Sequence, residues 1–252
     1  MTGRLLLVPN TLDLGAAAGA PPIDAVLATG VLAQAAGLTH WVAENAKTTR
    51  AFLARVAAVS PLALPLQAIT IRELPRPAKG SGAGPPDLAP LLAPALQGHD
   101  LGLLSEAGLP AVADPGAALV AAAHRAGIVV LPLAGPSAIT LALAASGLNG
   151  QSFAFVGYLP VEAGARAARV RELEARSRRE RCTQIAIETP YRNAALFGAL
   201  IETLQPTTQL ALACGLTLAG GWCRMAPVAQ WRSAPARFDD RHAPAVFSWL
   251  AA

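Results

Sequence analysis

The sequence predicts an α/β protein, and three copies of one junction carry that prediction. Short apolar strands are expected at residues 101–105, 128–133 and 184–188. Each is followed by a loop of small or polar residues and then by a helix. Apolar runs of this length are typical of parallel strands that are buried on both faces. Because ligands bind at the carboxyl ends of such strands, the functional site is expected at these junctions.

Length and composition limit the class of protein. The 252 residues suffice for two domains, and a boundary is expected near Asn149, giving domains at residues 1–148 and 149–252. The most apolar stretch, residues 126–145, is interrupted by prolines and a glycine, which argues against a membrane span. The three cysteines lack metal-ligand spacing, so we expect a reducing, cytoplasmic location without disulfide or metal site. The net charge of +4 permits a polyanionic partner.

The first half of the chain alternates predicted strands and helices. Further strands are expected at residues 4–8, 39–43 and 68–71, and helices at residues 23–36, 48–59, 87–97, 117–125 and 138–145. Residues 74–86 are rich in proline and glycine and predict an exposed loop.

The junction at residues 101–116 is the most informative of the three. Gly108 allows a close approach of the backbone to a ligand, and Pro110 fixes the direction of the chain. Asp114 is placed to cap the next helix, and Pro115 is expected at its first position.

The second half contains the same kinds of element in a different order. Strands are expected at residues 153–158, 184–188, 209–214 and 245–250, helices at residues 166–181 and 191–204, and a hairpin at residues 217–231. Thr189 and Pro190 are the expected start of the second helix.

Six segments occur in the order and spacing of a known family between Arg4 and about Cys214. They read LLLVPNTLDLG, AENAKTTRAFL, LLSEAGLPAVADPG, VVLPLAGPSAITLALAASGL, FAFVGYLP and IAIETPYRN. With them the chain resembles the tetrapyrrole methylase superfamily, whose members bind S-adenosylmethionine in the cleft between two α/β domains. The likeness is greatest to the enzymes that methylate a ribose 2′-hydroxyl of small-subunit ribosomal RNA. The resemblance implies a methyltransferase that takes part in rRNA processing and forms a homodimer.

The chain departs from that family on the side expected to hold the acceptor. Glu106 and Leu109 stand where the family's rRNA enzymes usually have aspartate and threonine, and Glu44-Asn45 replaces an acidic residue followed by aspartate. The family pattern is therefore kept better on the cofactor side than on the acceptor side.

Methyl transfer is an in-line displacement, for which the protein supplies alignment and exclusion of water. Free N–H groups at helix N-termini suit the cofactor's carboxylate. The residues expected to bind the cofactor are Pro9, Ser105, Ala107, Gly108, Pro110, Ala113, Asp114, Gly135, Pro136, Ser137, Pro160, Tyr191 and Ala213. Of these, Pro160, Tyr191 and Ala213 are implied by the resemblance. The candidate bases for the acceptor proton are Glu106, Glu44 and Glu188, with Asp114 behind them.

Basic residues leave the identity of the acceptor open. Lys47, Arg50 and Arg192 are candidates for binding an RNA substrate. Residues 166–181 contain seven arginines and three glutamates, and predict either a solvated amphipathic helix or an RNA phosphate contact. A small-molecule acceptor and a non-catalytic cofactor-binding module are the alternatives. A nucleotide-phosphate enzyme is disfavoured, because neither a P-loop nor a G-x-G-x-x-G motif is present.

Overall fold

The computed structural model of the chain describes residues 2–13, 20–75, 87–236 and 243–252. Contacts divide the chain into two compact units, Met1–Ser137 and Ala138–Ala252. The boundary expected near Asn149 lies about one helix later. That helix contacts strands of the second unit, which is why the division falls before it.

The first unit is built on a parallel sheet of five strands. These are β1 (Arg4–Leu7), β2 (His40–Ala43), β3 (Thr70–Glu73), β4 (Leu101–Leu104) and β5 (Val129–Pro132). Their order is β3-β2-β4-β1-β5, and every neighbouring pair is parallel. The carboxyl ends of β1, β2, β4 and β5 therefore lie along one edge, as the sequence predicts.

Four helices connect these strands. They are α1 (Thr29–Gly37), α2 (Ala46–Ala57), α3 (Ala89–Leu96) and α4 (Ala117–Arg125). The helix expected at residues 23–36 is divided, because a single 3-10 turn at Ile23–Ala25 precedes α1 and Ala28 is extended. Helix α2 begins two residues earlier than expected, since the Asn45 side chain accepts the N–H groups of Lys47 and Thr48. Apart from Leu74 and Pro75, the predicted loop at residues 74–86 lies outside the described residues.

Apolar side chains cover both faces of the sheet. Adjacent residues of a strand point to opposite faces, so Leu6 packs in a cluster with Leu32 and Phe52, whereas Leu5 packs with Leu103 and Leu119. All four residues of β4 are buried. The predicted apolar strand at this position is thus a central strand of the sheet.

The second unit contains a mixed sheet of five strands. These are β6 (Phe153–Gly157), β7 (Thr183–Glu188), β8 (Gln209–Cys214), β9 (Trp222–Pro227) and β10 (Ala245–Leu250), in the order β6-β7-β10-β8-β9. Only the β6–β7 pair is parallel. The helices are α5 (Ala138–Ser146), α6 (Ala163–Glu180), α7 (Asn193–Thr203) and α8 (Val228–Ser233).

Two expectations for the second unit need correction. The hairpin predicted at residues 217–231 is instead formed by β8 and β9, and Val228–Ser233 is a helix. Pro227 ends the strand, and Val228 and Trp231, three residues apart, are both buried on one side of α8. The helix expected from Tyr191 starts with a 3-10 turn at Pro190–Arg192 and continues as α7. Within the described ranges no helix is long and apolar enough to cross a membrane.

Candidate active site

Asn10 joins the loops that follow β1 and β4. Its main-chain N–H donates to the carbonyl of Gly108 at 2.8 Å, and its Nδ2 donates to the carbonyls of Ser105 and Glu106, each at 3.0 Å. The N–H of Thr11 donates to Asn10 Oδ1 at 2.8 Å. Asn10 is buried, so these bonds satisfy polar groups that water does not reach. Asn10 is not among the residues predicted for the site, although an asparagine just after a buried strand is a usable signal.

The loop between β4 and α4 has a tightly turned backbone. Gly108, Ala111 and Ala113 all lie in the left-handed region, with φ between +63° and +66°. That conformation strains residues that carry a Cβ, and strain of this kind concentrates at functional sites. A Cβ on Gly108 would also lie 3.3 Å from Cδ2 of Leu12. The loop thus brings main chain close to neighbouring groups at the position where the sequence predicts ligand contact.

Asp114 does not cap helix α4, contrary to the prediction. The helix begins at Ala117, Gly116 precedes it with φ of +129°, and no side chain bonds to its first turn. Pro115 accordingly lies outside the helix. Because the backbone turns sharply at Ala113 and again at Gly116, the Asp114 carboxyl is directed to Ser105, which hydrogen-bonds to it.

Two of the candidate bases lie together in the first unit. The main-chain N–H of Glu106 donates to Glu44 Oε2 at 3.3 Å, and the hydroxyl of Thr48 donates to Glu106 Oε1 at 2.7 Å. Thr48 was not predicted as a site residue, because its partner is 58 residues away in the sequence. Glu44 and Glu106 are only partly buried, so both carboxylates remain accessible to a ligand.

Asp114 belongs to the same group of carboxylates. Burial first, and the nearby charges of Glu44 and Glu106 to a smaller extent, raise the pKa of Asp114 to about 6, and a hydrogen bond with Ser105 limits the rise. A carboxyl with a pKa near neutrality can accept or release a proton at working pH. The electrostatic environment of Asp114 therefore suits a general acid or base, although the sequence placed Asp114 behind the three glutamates as a candidate.

A cavity of about 610 Å³ opens beside these carboxylates. Its walls are mostly apolar, and Glu44, Asn45 and Glu106 supply the polar groups; the remaining lining residues are Leu74, Pro75, Leu88, Pro115, Gly116, Ala118 and Leu119. An apolar pocket with a few polar groups at one side is typical of a small-molecule or cofactor site. The apolar lining residues Leu88, just before α3, and Ala118 and Leu119, in α4, were not predicted, since nothing in their local sequence distinguishes them from core.

The loops after β1 and β5 touch through two of the predicted residues. A Cβ on Gly135 would lie 2.1 Å from Cβ of Pro9, so only glycine fits there. Pro136 lies close to the loop that follows β4, because its carbonyl oxygen would be 3.4 Å from a Cβ on Gly108. Ser137, the last residue of this loop, is buried. The structure therefore brings together Pro9, Gly108, Gly135 and Pro136 at one edge of the sheet.

The remaining residues predicted in the first unit lie on either side of this edge. The Ser105 hydroxyl donates to the carbonyl of Ala107 at 3.1 Å, and Pro110 is buried. Lys47 and Arg50 are exposed in the first turns of α2, where Arg50 Nη1 donates to the carbonyl of Ala46 at 3.4 Å. Both cations thus follow the strand that carries Glu44.

The second unit contains the other predicted residues. Glu188 is buried, its Oε1 accepts the N–H of Thr189 at 2.8 Å, and its Oε2 lies 3.1 Å from Nη2 of Arg192. These bonds engage the Glu188 carboxylate and the Arg192 guanidinium, and together they hold the turn before α7. Tyr191 is 78% exposed, and Ala213 is packed in an apolar cluster with Ile139 and Leu143. The carbonyl of Pro160, the last of these five residues, accepts a weak hydrogen bond of 3.5 Å from Arg166 Nη1.

No three His, Cys, Asp or Glu side chains within the described parts of the chain are arranged to hold a metal ion.

Comparison with known proteins first defines the class of fold. The structure is similar to that of a uroporphyrin-III C-methyltransferase from Thermus thermophilus, with a TM-score of 0.51 and 21% identity over 99% of this chain and 93% of that one. It is also similar to the methyltransferase CobJ, with a TM-score of 0.57 and 17% identity over 100% of this chain and 95% of that one. The chain thus has the two-domain α/β fold of the tetrapyrrole methylases.

Sequence comparison then gives a more particular likeness. The chain is 42% identical over 132 residues to the ribosomal RNA small subunit methyltransferase I of Mesorhizobium japonicum, a match that covers 52% of this chain and 44% of the relative. The chain spans about half the length of the curated relatives it matches. No family model matches the sequence. The relatives and the fold together confirm the resemblance to the tetrapyrrole methylase superfamily.

Proposed function

We propose that this protein is an S-adenosylmethionine-dependent methyltransferase that acts on small-subunit ribosomal RNA, at a ribose 2′-hydroxyl. The observation that carries the proposal is the sequence likeness to a ribosomal RNA methyltransferase in a chain with the methylase fold. The reaction is a displacement in which the acceptor oxygen forms a bond to the methyl carbon, the bond from that carbon to sulfur breaks, and the hydroxyl proton leaves.

The edge of the first sheet fits this cofactor. Gly108 and Gly135 let the loops after β1, β4 and β5 pack closely together, so main-chain groups of these loops are available to a ligand at this edge. The three carboxylates of Glu44, Glu106 and Asp114 suit a ligand that carries a positive charge. S-adenosylmethionine supplies an electrophilic methyl group on a positively charged sulfur.

Each residue has a proposed task in this reaction. The loops containing Pro9, Gly108 and Gly135 hold the cofactor and keep water away from the reacting atoms. Glu106, held by the hydroxyl of Thr48, takes the proton of the acceptor hydroxyl, and Glu44 orients the main chain of Glu106. The family resemblance also implies cofactor contacts for Pro160, Tyr191 and Ala213 of the second unit. Lys47, Arg50 and Arg192 are proposed substrate contacts, although Arg192 is already paired with Glu188.

Transfer of a labelled methyl group tests the proposal. The protein is incubated with methyl-tritiated S-adenosylmethionine and small ribosomal subunits, and the recovered RNA is hydrolysed with alkali. A methylated 2′-hydroxyl cannot attack its phosphodiester, so the label is expected in an alkali-resistant dinucleotide. Label in mononucleotides would contradict the ribose assignment. Glu106→Gln is expected to lower turnover while calorimetric binding of the cofactor is kept.

A small-molecule acceptor is the second candidate. It is favoured by the size of the cavity beside Glu44 and Glu106, about 610 Å³, which is within the range of small-molecule pockets. In the labelling experiment, cofactor binding without any transfer to RNA, but with transfer to a small-molecule extract, would favour it. Cofactor binding without transfer to either would point to a non-catalytic module.

We also propose a homodimer in the cytoplasm, because the family resemblance implies both. Light scattering coupled to size-exclusion chromatography tests the dimer, and a mass near 26 kDa rather than twice that value would contradict it.

A further inference from the structure

Helix α6 carries an unusual share of the chain's positive charge. Its 18 residues include six arginines and three glutamates, and Arg181 follows directly. Val170, Leu173, Glu174 and Ser177 form the buried side of the helix, where Val170 and Leu173 join the core of the second unit. Five of the six arginines therefore lie on the flanks and on the outer face, whereas Arg166, whose Nε is buried, lies on the buried side.

One flank of α6 is neutralised by ion pairs. Arg169 Nη1 lies 2.6 Å from Glu172 Oε2, and Arg176 Nε lies 2.8 Å from Glu180 Oε2. Arg179 shares Glu180 at 2.7 Å. These pairs use both exposed glutamates of the helix, so this side presents little net charge.

The opposite flank keeps its positive charge. Arg171 and Arg178 are seven residues apart, or about two turns, so they lie on the same side of the helix about 10 Å apart along its axis. Both are exposed, and within the described ranges neither forms an ion pair with a side-chain carboxylate. Arg178 donates only its Nε, to the main-chain oxygen of Ala252 at 2.9 Å.

The nearest carboxylate on that flank is not available to neutralise these arginines at the surface. Glu174 is 4% exposed, and it accepts the N–H of Gln205 at 2.8 Å and the hydroxyl of Thr208. Its role is to fasten α6 to the loop that follows α7. Arg171 and Arg178 thus form a cationic strip, which we call the Arg171–Arg178 strip.

We propose that the Arg171–Arg178 strip binds the phosphate backbone of the RNA substrate. Guanidinium groups hold phosphate oxygens in bidentate hydrogen bonds, and two arginines about 10 Å apart along the helix axis can each hold a different phosphate of one strand. The strip contains no aromatic side chain on which a base could stack. It therefore positions RNA without reading its sequence. This inference rests on the proposed function, because it takes RNA as the acceptor.

The test compares two double variants of the same helix. Arg171→Gln/Arg178→Gln removes the strip, and Arg169→Gln/Arg176→Gln removes the same number of charges from the paired flank. Binding to a fluorescent small-subunit rRNA fragment and to an unrelated single-stranded RNA is measured by anisotropy between 50 and 300 mM salt, conditions set to expose counterion release. Calorimetric binding of S-adenosylmethionine and thermal unfolding are recorded for each protein.

The strip variant is expected to lower the slope of log affinity against log salt by about 1.4, since each single-strand phosphate contact contributes about 0.7. That corresponds to roughly a 25-fold loss of affinity at 0.1 M salt, equal for both RNAs. The control variant is expected to keep most of its slope. Equal losses in the two variants, or wild-type slope in the strip variant, would overturn the inference.

The outcomes also separate this inference from the proposed function. If the strip variant binds RNA like the wild type while the wild type methylates rRNA, the proposed role of the strip is wrong and the proposed function stands. If the wild type binds the cofactor but no RNA, the proposed role of the strip and the proposal of an RNA acceptor are both wrong.

Discussion

Arg55 Nη2 lies 3.0 Å from Asp13 Oδ2, and this ion pair fastens helix α2 to the loop that follows β1. The Asp13 side chain is 2% exposed, and Arg55 also donates to Thr11 Oγ1 at 3.1 Å and to the carbonyl of Pro21 at 3.3 Å. The same loop contains Asn10, which bonds to Gly108. A single arginine thus supports the side of the candidate site formed by β1.

Removing this arginine should be costly. Arg55→Met leaves the buried Asp13 carboxylate without its cation, and we expect a loss of about 3 kcal/mol in the free energy of unfolding. Chemical denaturation measures it. The control is Asp100→Asn, which breaks the partly exposed pair with Arg4 and should cost less than about 1 kcal/mol. Equal costs in the two variants would show that the Arg55–Asp13 pair behaves as a surface pair.

The bond from Thr48 to Glu106 should affect turnover more than binding. Thr48→Val keeps the shape of the side chain but removes the hydroxyl, so Glu106 loses the donor that holds it. Hydrogen bonds to charged groups contribute about 1.5–3 kcal/mol, and we expect kcat to fall about 10- to 100-fold with little change in cofactor affinity. Thr48→Ser restores the donor and should recover most of the rate. A Thr48→Val enzyme with unchanged kcat would remove Thr48 from the site.

Asp114 should give the protein a pH-dependent stability of unusual sign. Its folded pKa of about 6 exceeds the value of about 3.9 in an unfolded chain, so the folded state holds the proton more tightly. Stability from this group is therefore present at low pH and is lost as the pH rises from about 4 through 6. Asp114→Asn removes the ionisation, and its Tm relative to wild type should increase between pH 4.5 and pH 8.

Asp100 provides the opposite case within the same unit. The hydrogen bond from Arg4 lowers the pKa of Asp100, so its contribution is present above the unfolded pKa and is lost as the pH falls. Asp100→Asn should therefore reduce Tm at pH 8, with a smaller effect at pH 3.

A pH-independent Tm difference for Asp114→Asn would mean that Asp114 titrates like an exposed carboxyl.

The contact between Pro9 and Gly135 should tolerate no side chain at position 135. Gly135→Ala places a Cβ 2.1 Å from Pro9 Cβ and 2.5 Å from its Cγ, so the two loops must separate. We expect a loss of about 1–3 kcal/mol in unfolding free energy together with weaker cofactor binding. Gly30→Ala is the control, since nothing lies within 4 Å of that position in α1, and it should stabilise the helix by up to about 1 kcal/mol.

A double-mutant cycle checks the cause. Pro9→Gly removes the atoms that collide, so the Pro9→Gly/Gly135→Ala protein should be less destabilised than the sum of the single variants. Additive losses would mean that the alanine acts through something other than Pro9.

Local patterns in the sequence predicted most strands and helices, because each is a short apolar run limited by glycine, proline or a capping residue. They also predicted that Gly108 and Gly135 lie at an edge where loops meet. They did not predict the placement of β1 between β4 and β5, since parallel pairing leaves no local signature. Thr48, Asn10 and Arg55 were missed for a similar reason, because their partners are distant in the chain. Asp114 was assigned to a helix cap because Asp-Pro is typical of one, and the left-handed Ala113 and Gly116 could not be read from sequence.

The position of β1 has a consequence during synthesis. Leu5 and Leu6 pair with Leu101 and Gly102, so the first strand made has to wait for nearly a hundred further residues before its neighbour leaves the ribosome. At about 5–20 residues per second that delay is roughly 5–20 s. Throughout it the apolar β1 segment has no sheet to join, which makes this stretch of the nascent chain a natural binding site for chaperones.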